Sequence, residues 1–151
     1  MSSIQQICVL LPSSSVSQWT EDLAALGFMP DPIAQQRQAF GMIKVLDPAQ
    51  SESVGVYLGE RMEVWHGDHP ALYEQITTRL GTDQWTAFVV VFAYHPWADQ
   101  ETLMLLRWVA QHYPSYAVVT QYHHLLEPSD VAALDPAMFY WGDNPWDDDD
   151  E

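Results

Sequence analysis

WTAFVVVFAY at residues 85–94, followed by Gln100–Tyr113 and then Tyr116–Tyr122, reads as strand, helix, strand, and the rest of the chain is organised around it. Ala87 to Tyr94 is a continuous run of β-branched and aromatic residues without a charge. Such a run fits a strand buried on both faces better than a half-exposed one. His95-Pro96 ends it, because proline has no amide proton to give a ladder. Pro96 suits an early helix position, and Asp99 and Glu101 complement the positive end of the helix dipole. On a helical wheel Leu103, Leu105, Leu106, Val109, Ala110 and Tyr113 share one broad face, with Gln100, Glu101, Arg107 and Gln111 opposite. Pro114-Ser115 stops the helix and Tyr116–Tyr122 forms the next strand.

Two residues break this pattern. Met104 and Trp108, one turn apart, fall on the polar side of the wheel, although the apolar stripe is already complete without them. Either another segment covers them, or they form an exposed contact patch, since Trp and Met are enriched at interfaces.

Outward from this unit, Ile4–Leu11 reads as a first strand closed by Pro12. Ser15 and Gln18 have capping-box spacing, and Val16, Trp19, Leu23 and Leu26 recur at helical intervals up to a Gly27 C-cap. Phe28–Ala39, with two prolines and several glutamines, reads as a loop. Phe40–Leu46 and Ser53–Leu58 are strand-like, the second alternating Val54, Val56 and Leu58 with Gly55 and Tyr57. Gly59-Glu60 predicts a tight hairpin turn into a further strand, Arg61–His66, with one long strand bulged at Gly59 as the alternative. Leu72, Ile76 and Leu80 repeat every fourth residue in a helix that enters at Gly67-Asp68-His69-Pro70 and ends at Gly81. Pro128–Leu134 predicts a short helix, and Met138–Trp141 a last strand or packing segment. The expectation is a single α+β domain, residues 1–143, with a mostly antiparallel or mixed sheet packed by three main helices. Its approximate order is β-α-β-β-β-α-β-α-β, and residues 144–151 form an acidic tail.

The β-α-β-β-β order of Ile4–His66, with Leu26-Gly27-Phe28 at the helix end, resembles that of glyoxalase-like vicinal-oxygen-chelate modules. The resemblance stops at His66 and the second half does not repeat it. None of that family's metal ligands falls on a matching position, so membership does not follow.

Composition narrows the function classes. The 151 residues carry five Lys and Arg against 21 Asp and Glu, a formal charge of −16. Naked nucleic acid and anionic membrane are poor partners for such a chain, and a basic protein is a good one. Solubility alone also accounts for acidity of this size. Apolar content of 48% fits a folded globule, and seven Trp, seven Tyr and five Phe are enough to place some aromatics on the surface. Cys8 is the only cysteine, which excludes an internal disulfide and fits a reducing compartment. Within an apolar strand it reads as an inert buried thiol. The apolar run Ile7–Leu11 is too short for a signal-peptide core, and no stretch is long enough to span a membrane, so a cytoplasmic location is expected.

Catalytic signatures are weak. His66-Gly67-Asp68-His69 is the best metal candidate, because imidazole and carboxylate suit zinc and related ions, and His95, His123 and His124 are further donors. Yet His66 and His69 lack the fixed spacing of a known zinc motif, and polar residues beside a helix entry account for them. There is no Gly-x-Ser-x-Gly elbow and no phosphate-binding glycine loop. Tyr94-His95 and Tyr122-His123-His124 lie at the ends of two strands expected to be neighbours, and strand ends in α/β sheets gather ligand sites.

The leading expectation is therefore a small acidic protein-binding module without a cofactor: an inhibitor or immunity-type protein that neutralises a basic partner by covering its functional surface. Immunity proteins paired with secreted bacterial toxins have this general profile, a resemblance of class and not of motif. Glu101, Met104, Trp108, Trp146, Asp147 and Asp148 are the candidate contact residues. The alternative is a small enzyme or ligand-binding domain that uses the strand-end histidines, with or without a metal at His66 and His69.

Overall fold

In the computed structural model, which describes residues 4–47, 52–93, 96–120 and 123–133, six strands form one antiparallel sheet. The strands are β1 (Ile4–Pro12), β2 (Met29–Pro30), β3 (Gly41–Asp47), β4 (Glu52–Leu58), β5 (Trp85–Ala93) and β6 (Ala117–Thr120). They lie in the order β2-β3-β4-β5-β1-β6. The helices are α1 (Val16–Ala25), α2 (Pro32–Gln36), α3 (Met62–Asp68), α4 (Pro70–Leu80), α5 (Pro96–His112) and α6 (Pro128–Ala132). The α+β class, the antiparallel sheet and the long helices α1, α4 and α5 are as the sequence predicts.

The uncharged run from Trp85 to Ala93 is interior to the sheet. β5 pairs with β1 from Ile4↔Ala93 to Pro12↔Trp85 on one side, and with β4 from Val54↔Phe92 to Leu58↔Phe88 on the other. With both edges paired and helices over both faces, its alternate residues feed two separate cores. Phe88, Val90 and Phe92 join Ile7, Val9, Leu11, Trp19, Leu23, Leu106 and Val109 beneath α1 and α5. Trp85 and Ala87 join Leu10, Trp65, Ile76, Leu80 and Val119 beneath α3 and α4. The expected adjacency of β5 and β6 is not observed. β1 pairs with both and lies between them, so α5 carries the chain across one intervening strand.

The middle of the chain differs from the sequence reading in two places. Arg61–His66 is not a strand, and no hairpin turn follows β4. Gly59 N–H instead donates to Ala87 O at 2.8 Å, and the chain turns at Arg61 into α3. Met and Glu at the start of this segment are good helix formers. Over seven residues the helical period had little room to show itself. The single residue that decides the matter is Trp65, which is buried against the sheet while Glu63 and His66 are exposed. Residues 28–39 are likewise more than a loop. Met29-Pro30 is a two-residue edge strand, where a proline is tolerated because its missing N–H faces outward. Asp31-Pro32 is an N-cap followed by proline at the first helical position, with Asp31 Oδ1 accepting from Ile33 N at 3.0 Å. The order through β4 is therefore β-α-β-α-β-β, with α2 between β2 and β3, and not the expected β-α-β-β-β.

The helix ends show what local chemistry specifies. Gly27 (φ 101°) and Gly81 (φ 73°) occupy the left-handed region past α1 and α4, as the C-cap reading requires. The Ser15 capping box does not form. A 3-10 turn over Ser13–Ser15 precedes α1 and leaves Ser15 already near helical geometry (φ −93°, ψ −1°), not in the extended conformation a side-chain cap uses. Gln18 Nε2 donates to Asp22 Oδ1 at 2.8 Å instead.

Candidate functional site

The long helix α5 presents its stripe Leu103, Leu105, Leu106 and Val109 to the sheet, each 5% exposed or less. Of the two residues left over by that stripe, Met104 stands clear of the core, while Trp108 packs part of its ring against it. Met104 is 60% exposed and Trp108 is half-buried. Trp108 is held from two sides. Its ring stacks on His112 with centroids 4.2 Å apart and planes at 17°, and it meets Tyr113 edge-on at 5.9 Å. His112 Nδ1 lies 2.9 Å from Trp108 O, which fixes the lower ring in turn. Trp108 is thus a rigid aromatic at a surface, an arrangement that loses little side-chain entropy on contact.

Between Met104, Leu105 and Trp108 on one side and Leu26 and Phe28 on the other lies a groove of about 90 Å³, walled by Lys44 and Glu101. A water molecule's share of liquid is about 30 Å³. The groove therefore takes a single side-chain tip, well short of the roughly 300–1,000 Å³ of a small-molecule pocket. Glu101 is not the freely solvated rim carboxylate its place on the wheel implies. Lys44 Nζ, reaching over from β3, donates to Glu101 Oε1 at 2.8 Å, with both side chains about a quarter exposed (29% and 27%). No local pattern announces this pair, because its members are 57 residues apart.

Beneath the opposite face the residues form an aromatic and imidazole chain. Trp65 of α3 packs edge-on to Trp85 at 6.1 Å and to His123 at 6.0 Å. His69 and His123 stack with centroids 4.1 Å apart and planes at 24°. His66 turns away and meets Tyr73 edge-on at 4.8 Å. The two metal candidates, His66 and His69, therefore point at different partners. Among the described residues no three His, Cys, Asp or Glu side chains converge where they could hold a metal ion. Burial lowers the affinity of His123 for a proton, the charge of a protonated His69 lowers it further, and Glu60 opposes both.

His123 and His124 border a groove of about 900 Å³, with Glu74 and Arg79 of α4 and Glu127 and Asp130 around α6. Arg79 Nη1 donates to Leu126 O at 2.9 Å and Nη2 to Glu127 Oε2 at 3.1 Å, tying α4 to the α6 entry across this groove. Cys8 lies in the neighbouring core. Burial, and secondarily the charge of Glu60, push its thiol up to about 11, which keeps it protonated and unreactive at neutral pH.

Of the candidate contact residues, the structure gathers Glu101, Met104 and Trp108 around one groove, while Trp146, Asp147 and Asp148 lie outside the described residues, as does His95. The sequence reading did not single out Leu26, Phe28 and Lys44 as groove residues or His69–His123 as a stacked pair. The hint for the pair was the position of His123 just past a strand end and of His69 at a helix entry. No helix among the described residues is long and apolar enough to cross a membrane. No family model, curated protein or solved structure matches this chain.

Proposed function

We propose that this chain is a small acidic protein-binding module that neutralises a basic partner, a toxin or a nucleic-acid-binding enzyme, by covering its functional surface, with the outer side of α5 as the contact. The observation that carries this reading is the exposed Met104 beside the braced ring of Trp108, over an apolar groove sized for one side chain. The surrounding charge gives the partner its sign. With 21 acids against five bases, and with Lys44 and Arg79 held by Glu101 and Glu127, little positive charge is left to repel a cationic surface. In this arrangement the acids, including Asp147 and Asp148 beside Trp146, steer the encounter at range, and Trp108 and Met104 supply the desolvated anchor.

The test is a capture from the native cell followed by kinetics with the identified protein. A basic partner is expected, with association slowed by added salt and dissociation speeded by Trp108→Ala, at a cost on the order of 2 kcal/mol or more for a hot spot. A Trp108→Ala protein that folds normally and binds its partner unchanged would eliminate this surface. An acidic partner bound with an affinity indifferent to salt would remove the electrostatic argument as well.

A second reading, a ligand-binding domain or small enzyme, is favoured by the larger groove beside His123, whose 900 Å³ lies in the range of small-molecule sites. Saturable binding of a metabolite, lost on His123→Ala and unaffected by Trp108→Ala, would put that reading first.

A further inference from the structure

Between α2, the start of β3 and the end of β4 lies a cavity of about 380 Å³. It shares no lining residue with the α5 groove or with the groove beside His123. Its shape depends on two glycines. A Cβ at Gly41 would stand 2.5 Å from Ala34 Cβ and 3.0 Å from the Tyr57 ring, and one at Gly55 would strike the same ring. Without those carbons α2 and Tyr57 close down on the sheet. Tyr57 Oη donates to Asp31 Oδ2 and Ile33 N–H donates to Asp31 Oδ1, which ties the ring to the first turn of α2. The far end of α2 is fixed as well. Gln38 N–H donates to Gln35 O at 3.0 Å and Ala39 N–H to Ala34 O at 2.9 Å, a Schellman closure with Gln38 at φ 55° where glycine is usual. Arg37 and Ala39, on either side of Gln38, both line the cavity.

Most of the lining is apolar. Phe40 forms one wall and is braced edge-on by Phe88 at 5.2 Å. Ile33 and Leu58, 61% and 53% exposed, put two large aliphatic side chains on one opening. Two charged residues line the cavity, and they differ. Asp31 is 8% exposed with both oxygens engaged, so it acts as a brace. Arg37 is exposed, and its guanidinium makes no hydrogen bond or ion pair among the described residues. The cavity thus sets an apolar space beside one open cation. The planar fork of arginine matches a carboxylate through two parallel N–H···O bonds. The volume lies at the lower end of the small-molecule range, and about 30 Å³ for each water-sized group leaves room for roughly a dozen non-hydrogen atoms. The net charge of −16 repels an anion at long range, but physiological salt screens that field beyond about 8 Å.

We propose that this cavity binds a small amphipathic carboxylate, with its apolar body against Phe40, Tyr57 and Leu58 and its carboxylate on Arg37. The apolar walls supply most of the affinity, and Arg37 selects the head group. The site stands whether or not α5 is a partner surface, because none of these residues belongs to that contact.

The experiment is a titration of the full chain with octanoate, 1-octanol and octylammonium, followed by amide chemical shifts in NMR. The three probes share a chain and differ in the head group. Octanoate should bind saturably, with the largest shifts at Ile33, Ala39 and Leu58, and about tenfold or more tightly than the other two. Arg37→Gln should remove that advantage and leave 1-octanol binding unchanged. Arg37 is exposed, so the variant should keep the fold, which unchanged amide shifts in β5 would verify. Ala39→Leu, also at an exposed position, fills the cavity from its rim and should weaken all three probes. Absence of saturable octanoate binding overturns the proposal, and so does equal affinity for octanoate and 1-octanol, or a preference for octylammonium. Octanoate binding that survives Arg37→Gln undiminished removes the assigned head-group contact and overturns it too. Shifts centred on Trp108 or on Leu125 would put the ligand in a different groove, with the same consequence.

Discussion

The two faces of the sheet are built differently. Beneath α1 and α5 the described residues form a cluster of twenty buried side chains, mostly aliphatic and Phe, whereas the cluster beneath α3 and α4 has eight, Trp65 and Trp85 among them, with the His69–His123 stack beside Trp65. The first leaves Met104 at the surface and takes Trp108 only along its edge. The second is small, and its packing leans on two large rings, Trp65 and Trp85. Hence the large core is the place to look for a rigid contact surface, and the small one for easier local opening.

The sharpest way to break this contrast is to open each core. Phe88→Ala and Trp85→Ala remove side chains that are 1% and 2% exposed on opposite faces of β5. Each should cost about 3–5 kcal/mol of folding stability, measured by denaturant unfolding. The faces should differ in how the loss appears. Phe88→Ala should lower a single cooperative transition. Trp85→Ala, which also strands Thr77 Oγ1 by removing a 3.1 Å hydrogen bond, should first raise amide exchange in α3 and α4. Equal exchange on both faces in both variants would mean that the two clusters act as one.

Trp108→Ala comes next. A core tryptophan would cost about 3–5 kcal/mol, but this ring is half-buried, so a loss of roughly 1–2 kcal/mol is expected. A full core-sized loss would place Trp108 in the structural class and weaken the surface reading of α5.

Legibility in the sequence also divides along this line. The α5 side was readable because its elements are long and periodic. The uncharged run beginning at Ala87 pointed to an interior strand, and the wheel of α5 separates Leu106 and Val109 from Met104 and Trp108. The α3–α4 side was not. Trp65 was misplaced on a strand because seven residues hold barely two helical turns, and Asp31-Pro32 passed for loop although it is an N-cap signal. The stack of His69 on His123 joins residues 54 positions apart by number, and the Lys44–Glu101 pair bridges 57. Such juxtapositions are set by sheet order, and the insertion of β1 between β5 and β6 was not inferable from local pattern.

Alkaline pH should sharpen the contrast from the aliphatic side. Tyr113 Oη donates to Asp22 Oδ2 at 2.6 Å, and burial first, then that bond and the carboxylate charge, raise its phenol. Tyr57 Oη donates to Asp31 Oδ2 at 2.7 Å and is pushed up to about 12, again first by burial. A proton held more tightly in the fold contributes stability below the unfolded tyrosine value of about 10, and that contribution is lost as pH rises through the native value. Stability should therefore be flat from neutral pH to about 8.5, fall as the buried Cys8 thiol loses the same advantage, and decline more steeply above about 10 as the two tyrosines follow. Tyr113→Phe should reduce the slope of that decline, and an unchanged slope would show that Tyr113 does not set it.

The smallest effect expected is the Lys44–Glu101 pair, and it bears most directly on the proposed surface. More than a quarter of each side chain is in solvent, so screening and side-chain ordering leave a coupling of roughly 0.2–1 kcal/mol. A double-mutant cycle with Lys44→Met and Glu101→Gln measures it by denaturant unfolding. Stability is the lesser readout. If the pair only walls the groove, Glu101→Gln should release Lys44 and slow association with a basic partner beyond the effect of removing one acid, while Lys44→Met should speed it. Were Glu101 instead a direct contact, Glu101→Gln would chiefly raise the dissociation rate, and Lys44→Met would leave that loss unchanged. The pattern of the two rates thus separates a carboxylate that shapes the surface from one that the partner touches.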